Sequence, residues 1–154
     1  MLGDVVALQL LHDRGCPWNS ATCAQAARSG HLDVLQWLKS KGCPWDAVTC
    51  FAAASMDHLA VLQWARTHGC PFNAVTFIAA AQRGNLAVLR WLRSQEGCEW
   101  NMLLSVCAAE NGHLPVLQWL HSQGCPWDAI ACCSAAERMG HQHVAHWIRS
   151  LTVH

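Results

Sequence analysis

Hydrophobic and polar positions along this chain follow a pattern that returns about every 27 residues. Leu32, Val34, Leu35, Trp37 and Leu38 fall at helical spacing and form one broad apolar face. The same phrase returns as Leu59-Ala60-Val61-Leu62-Gln63-Trp64, Leu86-Ala87-Val88-Leu89-Arg90-Trp91 and Leu114-Pro115-Val116-Leu117-Gln118-Trp119. A degraded copy stands at His143-Val144-Ala145-His146-Trp147. A second phrase, Gly15-Cys16-Pro17-Trp18, recurs with its cysteine at 43, 70, 98 and 125, in steps of 27, 27, 28 and 27. A fixed period of this length marks a stacked repeat.

Each repeat predicts two short helices. Asn19, Asp46, Asn73, Asn101 and Asp128 follow the turn as N-caps, whose side chains accept the free amides of a first turn. An alanine-rich helix comes next, with Ala26-Ala27, Ala53-Ala54, Ala80-Ala81, Ala108-Ala109 and Ala135-Ala136 at matching places, small enough for two backbones to approach closely. Gly30, Gly84, Gly112 and Gly140 end that helix where a left-handed residue is favoured, and Asp57 replaces the glycine once. The second helix stops at the next Gly-Cys-Pro-Trp, and Pro115 lies in a first turn, where a missing amide costs little.

Isolated helices of this length are marginal in water, so neighbouring units must stack to share a core. The fold class is all-α, a helix–turn–helix repeat solenoid forming a single domain over residues 1–154. It divides into a half repeat at 1–18 and repeats at 19–45, 46–72, 73–100, 101–127 and 128–154. Gly3 to Gly15 matches Gly30 to Gly42 in length, so the chain opens on a second helix lacking its partner. That predicts a fragment of a longer array, or an end covered by another chain.

Composition narrows the function. Hydrophobic residues make up 53% and charged ones only 13%, against roughly 25% charged in ordinary domains. Basic and acidic residues balance at ten each, so no basic stripe for phosphate binding is expected, and Arg83, Arg90 and Arg93 read as a solvated helix face. The first residues lack a signal-peptide pattern, and no run approaches the roughly 20 apolar residues of a membrane span. A soluble, cytoplasmic protein is expected.

Ten cysteines and ten histidines raise the question of metal. The recurrent cysteine spacing is seven (Cys16 to Cys23, Cys43 to Cys50, Cys125 to Cys132), unlike the close pairs of zinc sites. Cys23 and Cys50 are expected as small buried hydrophobes. His31, His58, His113 and His141 recur at the start of the second helix, a scaffold position with a hydrogen-bonding role. His12, His68, His121, His143 and His146 are expected at the surface. Trp37, Trp64, Trp91, Trp119 and Trp147 are expected in the core, and Trp18, Trp45, Trp100 and Trp127 half-buried in turns. With no catalytic fingerprint in the chain, neither an enzyme, a cofactor, a metal site nor a small-molecule substrate is expected.

Fold-dictated residues recur, whereas recognition residues vary. The varying positions are Arg28, Ser55, Gln82-Arg83, Glu110-Asn111 and Glu137-Arg138 before the turn, and Phe51, Ile78 and Val106 within the first helix. The order T-C-x-x-A-A-x-x-G-H-L-x-V-L-Q-W-L-x-x-x-G-C-P-W resembles the ankyrin repeat, most specifically at Gly30-His31-Leu32, Gly112-His113-Leu114 and the alanine pairs. The unit is about six residues shorter than that family's 33, and lacks its T-P-L-H. The resemblance implies shortened or absent β-hairpin fingers. The G-C-P-W variety is similar to arrays of large DNA viruses and protists, which places a viral chain in the host cytoplasm.

Ankyrin-like arrays imply a non-catalytic protein–protein interaction scaffold, with the first helices on the concave side. Phe51, Ile78 and Val106 would then be an apolar centre rimmed by Arg28, Arg83, Glu110 and Arg138. The alternatives are a nucleic-acid-binding solenoid, or the substrate-recognition half of a ubiquitin-ligase adaptor.

Overall fold

N-caps and left-handed turns set the helix limits in the computed structural model, which describes residues 6, 9, 10, 12–15, 17–95 and 100–152. Ten helices are delimited among these residues: α1 (Ser20–Arg28), α2 (Leu32–Ser40), α3 (Ala47–Ser55), α4 (Leu59–Thr67), α5 (Ala74–Arg83), α6 (Leu86–Arg93), α7 (Met102–Glu110), α8 (Leu114–Ser122), α9 (Ala129–Arg138) and α10 (Gln142–Thr152). Val6, Gln9, Leu10, His12 and Asp13 are also helical. The remainder of the expected opening helix, with Gly3, Val5, Leu8 and Leu11, lies outside the described residues, as do Cys16, Gly97, Cys98 and Glu99. No strand occurs among the described residues. No described helix is long and apolar enough to cross a membrane.

The caps are made locally. The Asn19 side chain accepts from the Thr22 amide at 3.3 Å while Thr22 Oγ1 accepts from the Asn19 amide, a reciprocal capping box. Asp46 accepts from Val48, Asn101 from Leu103, and Asp128 from Ile130 and Ala131, all within 3.0 Å. At the other end Gly30, Gly84, Gly112 and Gly140 have φ between +74° and +80°, and Asp57 stands at +62°. The chain then turns back so that the amides of His31, His58, Asn85 and His113 close on carbonyls five residues earlier.

The chain forms two compact units, Met1–Asn73 and Ala74–His154. In the first, α1 packs beside α3, and α2 and α4 each lie against their own first helix. In the second, α5, α7 and α9 stand side by side, with α6, α8 and α10 each against its own first helix. Neighbouring helices thus pack in repeat order within each unit. The alanine pairs are buried, as are Val34, Leu35 and Leu38 of α2 and their counterparts Val88, Leu89 and Leu92 of α6 and Val116, Leu117 and Leu120 of α8.

The scaffold role expected of the recurrent histidine has a specific form. His58 Nε2 donates to the Arg28 carbonyl at 3.1 Å, and His113 Nε2 donates to the Gln82 carbonyl at 2.9 Å. Each imidazole lies over the glycine of the preceding repeat: a Cβ on Gly30 would sit 2.6 Å from the His58 ring, and one on Gly84 2.6 Å from His113. His141 covers Gly112 in the same way, but His143, expected merely at the surface, makes the bond there, Nε2 to the Gly112 carbonyl at 3.1 Å. The chain at Asp57, where glycine is absent, has Asn85 rather than histidine in the next repeat.

One core position holds a polar residue at a cost. The Thr49 and Thr76 hydroxyls are buried without a hydrogen-bond partner, while Leu104 fills the corresponding place in α7. An unsatisfied buried hydroxyl costs about 1–3 kcal/mol. Thr76→Val, nearly isosteric, is therefore expected to raise stability by about 1 kcal/mol. Urea unfolding checks this, and an unchanged or lower midpoint would contradict it.

Candidate functional site

Two surfaces carry side chains beyond what packing requires. The first is the outer face of the first helices in the second unit. Val75 on α5, Leu103 on α7 and Ile130 on α9 occupy one recurrent position, two residues past the cap, and are 50%, 51% and 80% exposed. Three residues on, hence on the same helix face, stand the half-buried Ile78, Val106 and Cys133. A further turn along, the face becomes polar with Gln82, Glu110 and Glu137. In the first unit α3 repeats the arrangement with Val48 and Phe51, 55% and 37% exposed, followed by Ser55.

Each unit also carries an aromatic surface of its own. Turn and helix tryptophans meet edge to face: Trp18 with Trp37 at 5.3 Å, Trp45 with Trp64 at 5.7 Å, and Trp100 with Trp119 at 5.5 Å. Trp127 and Trp147 lie tilted at 6.1 Å. The helix tryptophans are half-buried like their turn partners, which corrects the expectation that they are core. A basic side chain covers each turn ring: His12 on Trp18, Lys39 on Trp45, Arg66 on Phe72, Arg93 on Trp100 and His121 on Trp127, at 3.6–4.7 Å. His12 is thus stacked on an indole and His121 packed at a tilt against one, rather than merely exposed, and His68 is stacked on Trp64, its Nδ1 donating to the Trp64 carbonyl at 2.8 Å. The basic position recurs at steps of 27, 27, 27 and 28, a signal the sequence offers openly.

In the two repeats at 19–45 and 46–72 the cysteines pair in a way their spacing of seven conceals. Cys43 Sγ donates to the Asn19 carbonyl at 3.5 Å and Cys70 Sγ to the Asp46 carbonyl at 3.4 Å. Cys23 is hydrogen-bonded to Cys43, and Cys50 to Cys70. In the fourth repeat Ser105 Oγ donates to Cys125 Sγ at 3.8 Å, and Cys125 to the Asn101 carbonyl. These relays tie the end of a repeat to its own N-cap. Burial, with the bond to Cys43, pushes the Cys23 thiol up to about 12, and burial lifts Cys132 to about 11. The bond to Cys70, together with burial, raises Cys50 and draws Cys70 down. All four sulfurs are shut away from solvent, and Cys23, Cys50 and Cys132 are held in the neutral form, which is a poor nucleophile. Among the described residues no three His, Cys, Asp or Glu side chains gather closely enough to hold a metal ion.

No family model matches the chain, and no curated protein matches it at a significant level.

The candidate recognition residues sort by position. Gln82, Arg83, Glu110 and Asn111 come together with His113 and Met139 around one open cleft in the second unit. Glu110 is paired with Arg138 at 2.8 Å, and Glu137 with Arg149. In the first unit Arg28 is exposed on α1 and Phe51 on α3, while the Ser55 hydroxyl turns back onto the Ala52 carbonyl at 2.9 Å. The exposed apolar position held by Val48 in the first unit and by Val75, Leu103 and Ile130 in the second was not among the expected residues. It is always apolar, and periodicity alone assigns such a position to the core.

Proposed function

We propose that the chain is a non-catalytic protein-interaction scaffold of the ankyrin-like solenoid type, and that its partner docks on the solvent-exposed face of the first helices. The observation that carries this reading is the row Val75, Leu103 and Ile130, at least half exposed on three adjacent helices. Exposed large apolar side chains in a contiguous row mark interaction surfaces rather than ordinary solvent-facing ones. Beside it the same helices present Gln82, Glu110 and Glu137, giving an apolar centre with a polar rim. The resemblance to ankyrin repeats supplies the concave placement of this face.

A nucleic-acid role is less well supported. The turn aromatics would have to serve as stacking platforms, yet each already has a basic side chain over its ring, and most meet a helix tryptophan besides.

Binders selected from a displayed-peptide library against the wild-type chain provide the test. Leu103→Asp combined with Ile130→Asp is expected to weaken most of them by about thirtyfold or more, about 2 kcal/mol, with helical circular dichroism unchanged. Binders indifferent to both substitutions would remove the reading.

A further inference from the structure

We infer that the polar end of this face is a receptor for an acidic side chain of the partner, anchored by Arg83; this rests on the docking face proposed above. The cleft between the C-terminal ends of α5, α7 and α9 has a volume of about 650 Å³ and is lined by Gln82, Arg83, Glu110, Asn111, His113 and Met139. Its charges do not cancel. The Glu110 carboxylate accepts from Arg138 at 2.8 Å, whereas Arg83 joins neither of the two ion pairs among the described residues. Arg83, Glu110 and Arg138 together leave one uncompensated positive charge.

The carbonyl ends of three helices would by themselves repel an anion, but here most of the last-turn carbonyls already accept a hydrogen bond. The Asn85 amide closes on Ala80, His113 on Ala108 and His141 on Ala136, while Gly84 and Gly112 close on Ala81 and Ala109. The Gln82 carbonyl takes the His113 Nε2 proton, and the Cys107 carbonyl takes an Asn111 amide proton at 2.9 Å. The guanidinium is thus the dominant charge facing the cleft. Its planar fork matches a carboxylate in two parallel hydrogen bonds. The Asn111 amide nitrogen carries a second proton that can join them. Met139, 54% exposed beside the charge, offers an adaptable apolar contact.

The spacing defines the ligand further. Arg83 lies eight residues beyond Val75 on α5, about 12 Å along a helix rising about 1.5 Å per residue. An extended peptide covers that distance in about four residues. The partner segment is therefore an acidic residue separated by three or four positions from a large apolar one, lying along the first helices.

The test is fluorescence anisotropy of the full chain with three labelled peptides: Ser-Glu-Gly-Ser-Gly-Leu-Leu-Ser, the same peptide with Gln for Glu, and the same with phosphoserine for Glu. The wild type is expected to bind the Glu peptide roughly tenfold more tightly than the Gln peptide. Arg83→Gln should abolish that preference, and Leu103→Asp should weaken binding of both peptides. Equal binding of the Glu and Gln peptides, a preference surviving Arg83→Gln, binding of the phosphopeptide alone, or no binding at all would each overturn the receptor. The docking face is judged separately: loss of Gln-peptide binding in Leu103→Asp supports it even if the acidic preference fails.

Discussion

Gly84→Ala is expected to destabilise the chain by about 2–4 kcal/mol, whereas Gly124→Ala, at a nearly identical backbone angle, should cost only about 1–2 kcal/mol. Both glycines are left-handed, at φ +75° and +71°, so an L side chain at either meets the same intrinsic penalty. They differ in what the new methyl would touch. Nothing lies within 4 Å at Gly124, while at Gly84 the His113 ring would be 2.6–2.9 Å away and must be pushed aside. Moving it also breaks the 2.9 Å bond from His113 Nε2 to the Gln82 carbonyl, worth about 0.5–1.5 kcal/mol. Urea unfolding of the two variants measures the difference. Adding His113→Asn to Gly84→Ala should recover part of it, because the shorter Asn85 holds the histidine's place in the repeat after the one whose turn residue is Asp57. Equal losses at Gly84 and Gly124 would show that the imidazole does not bear on the turn.

Trp119→Ala is expected to cost a further large amount, about 3 kcal/mol, although the indole is only half-buried. Truncating a core aromatic costs about 3–5 kcal/mol, and partial exposure places Trp119 at the lower end. The lost contact is the edge-to-face packing on Trp100 at 5.5 Å, and Trp100 in turn carries Arg93 at 4.3 Å. Removing Trp119 therefore loosens a three-membered stack. Arg93→Ala removes only its outer member and should cost about 0.5–1 kcal/mol, the range for an exposed cation over a ring. Thermal unfolding of both variants checks the ratio. Comparable shifts would mean that the tryptophans contribute no more than the arginine does.

The helices were legible because their signals are local. An Asn or Asp cap accepts an amide two or three residues away, and a left-handed turn closes on carbonyls within five, so Asn19, Asp46, Gly30 and Gly84 could be placed without knowing the fold. The recurrent histidines were legible as scaffold, though not their partners, since the His58 and His113 bonds span about thirty residues. The cysteine relays were hidden for a similar reason: a thiol's contact with the N-cap carbonyl, 24 residues back, leaves no periodic mark distinct from the repeat itself. Burial misled in both directions. Apolar character assigned Trp37 and Trp119 to the core, where the turn tryptophans stop them short, and passed over Leu103 and Ile130, which face outward. Of the expected recognition residues, Gln82, Arg83, Glu110 and Asn111 do share a cleft, because variation between repeats is permitted where the scaffold makes no demand.

The imidazole laid over a neighbour's glycine makes the module a matched half of a joint rather than an interchangeable brick. A unit transplanted elsewhere in the array brings its histidine to whatever residue ends the preceding turn, and only a residue without a β-carbon leaves room for the ring. Repeats of this chain should therefore be recombined only at crossovers that keep each glycine with the histidine covering it. A crossover that set His113 after Asp57 would join two sequences each sound alone and mismatched at the seam.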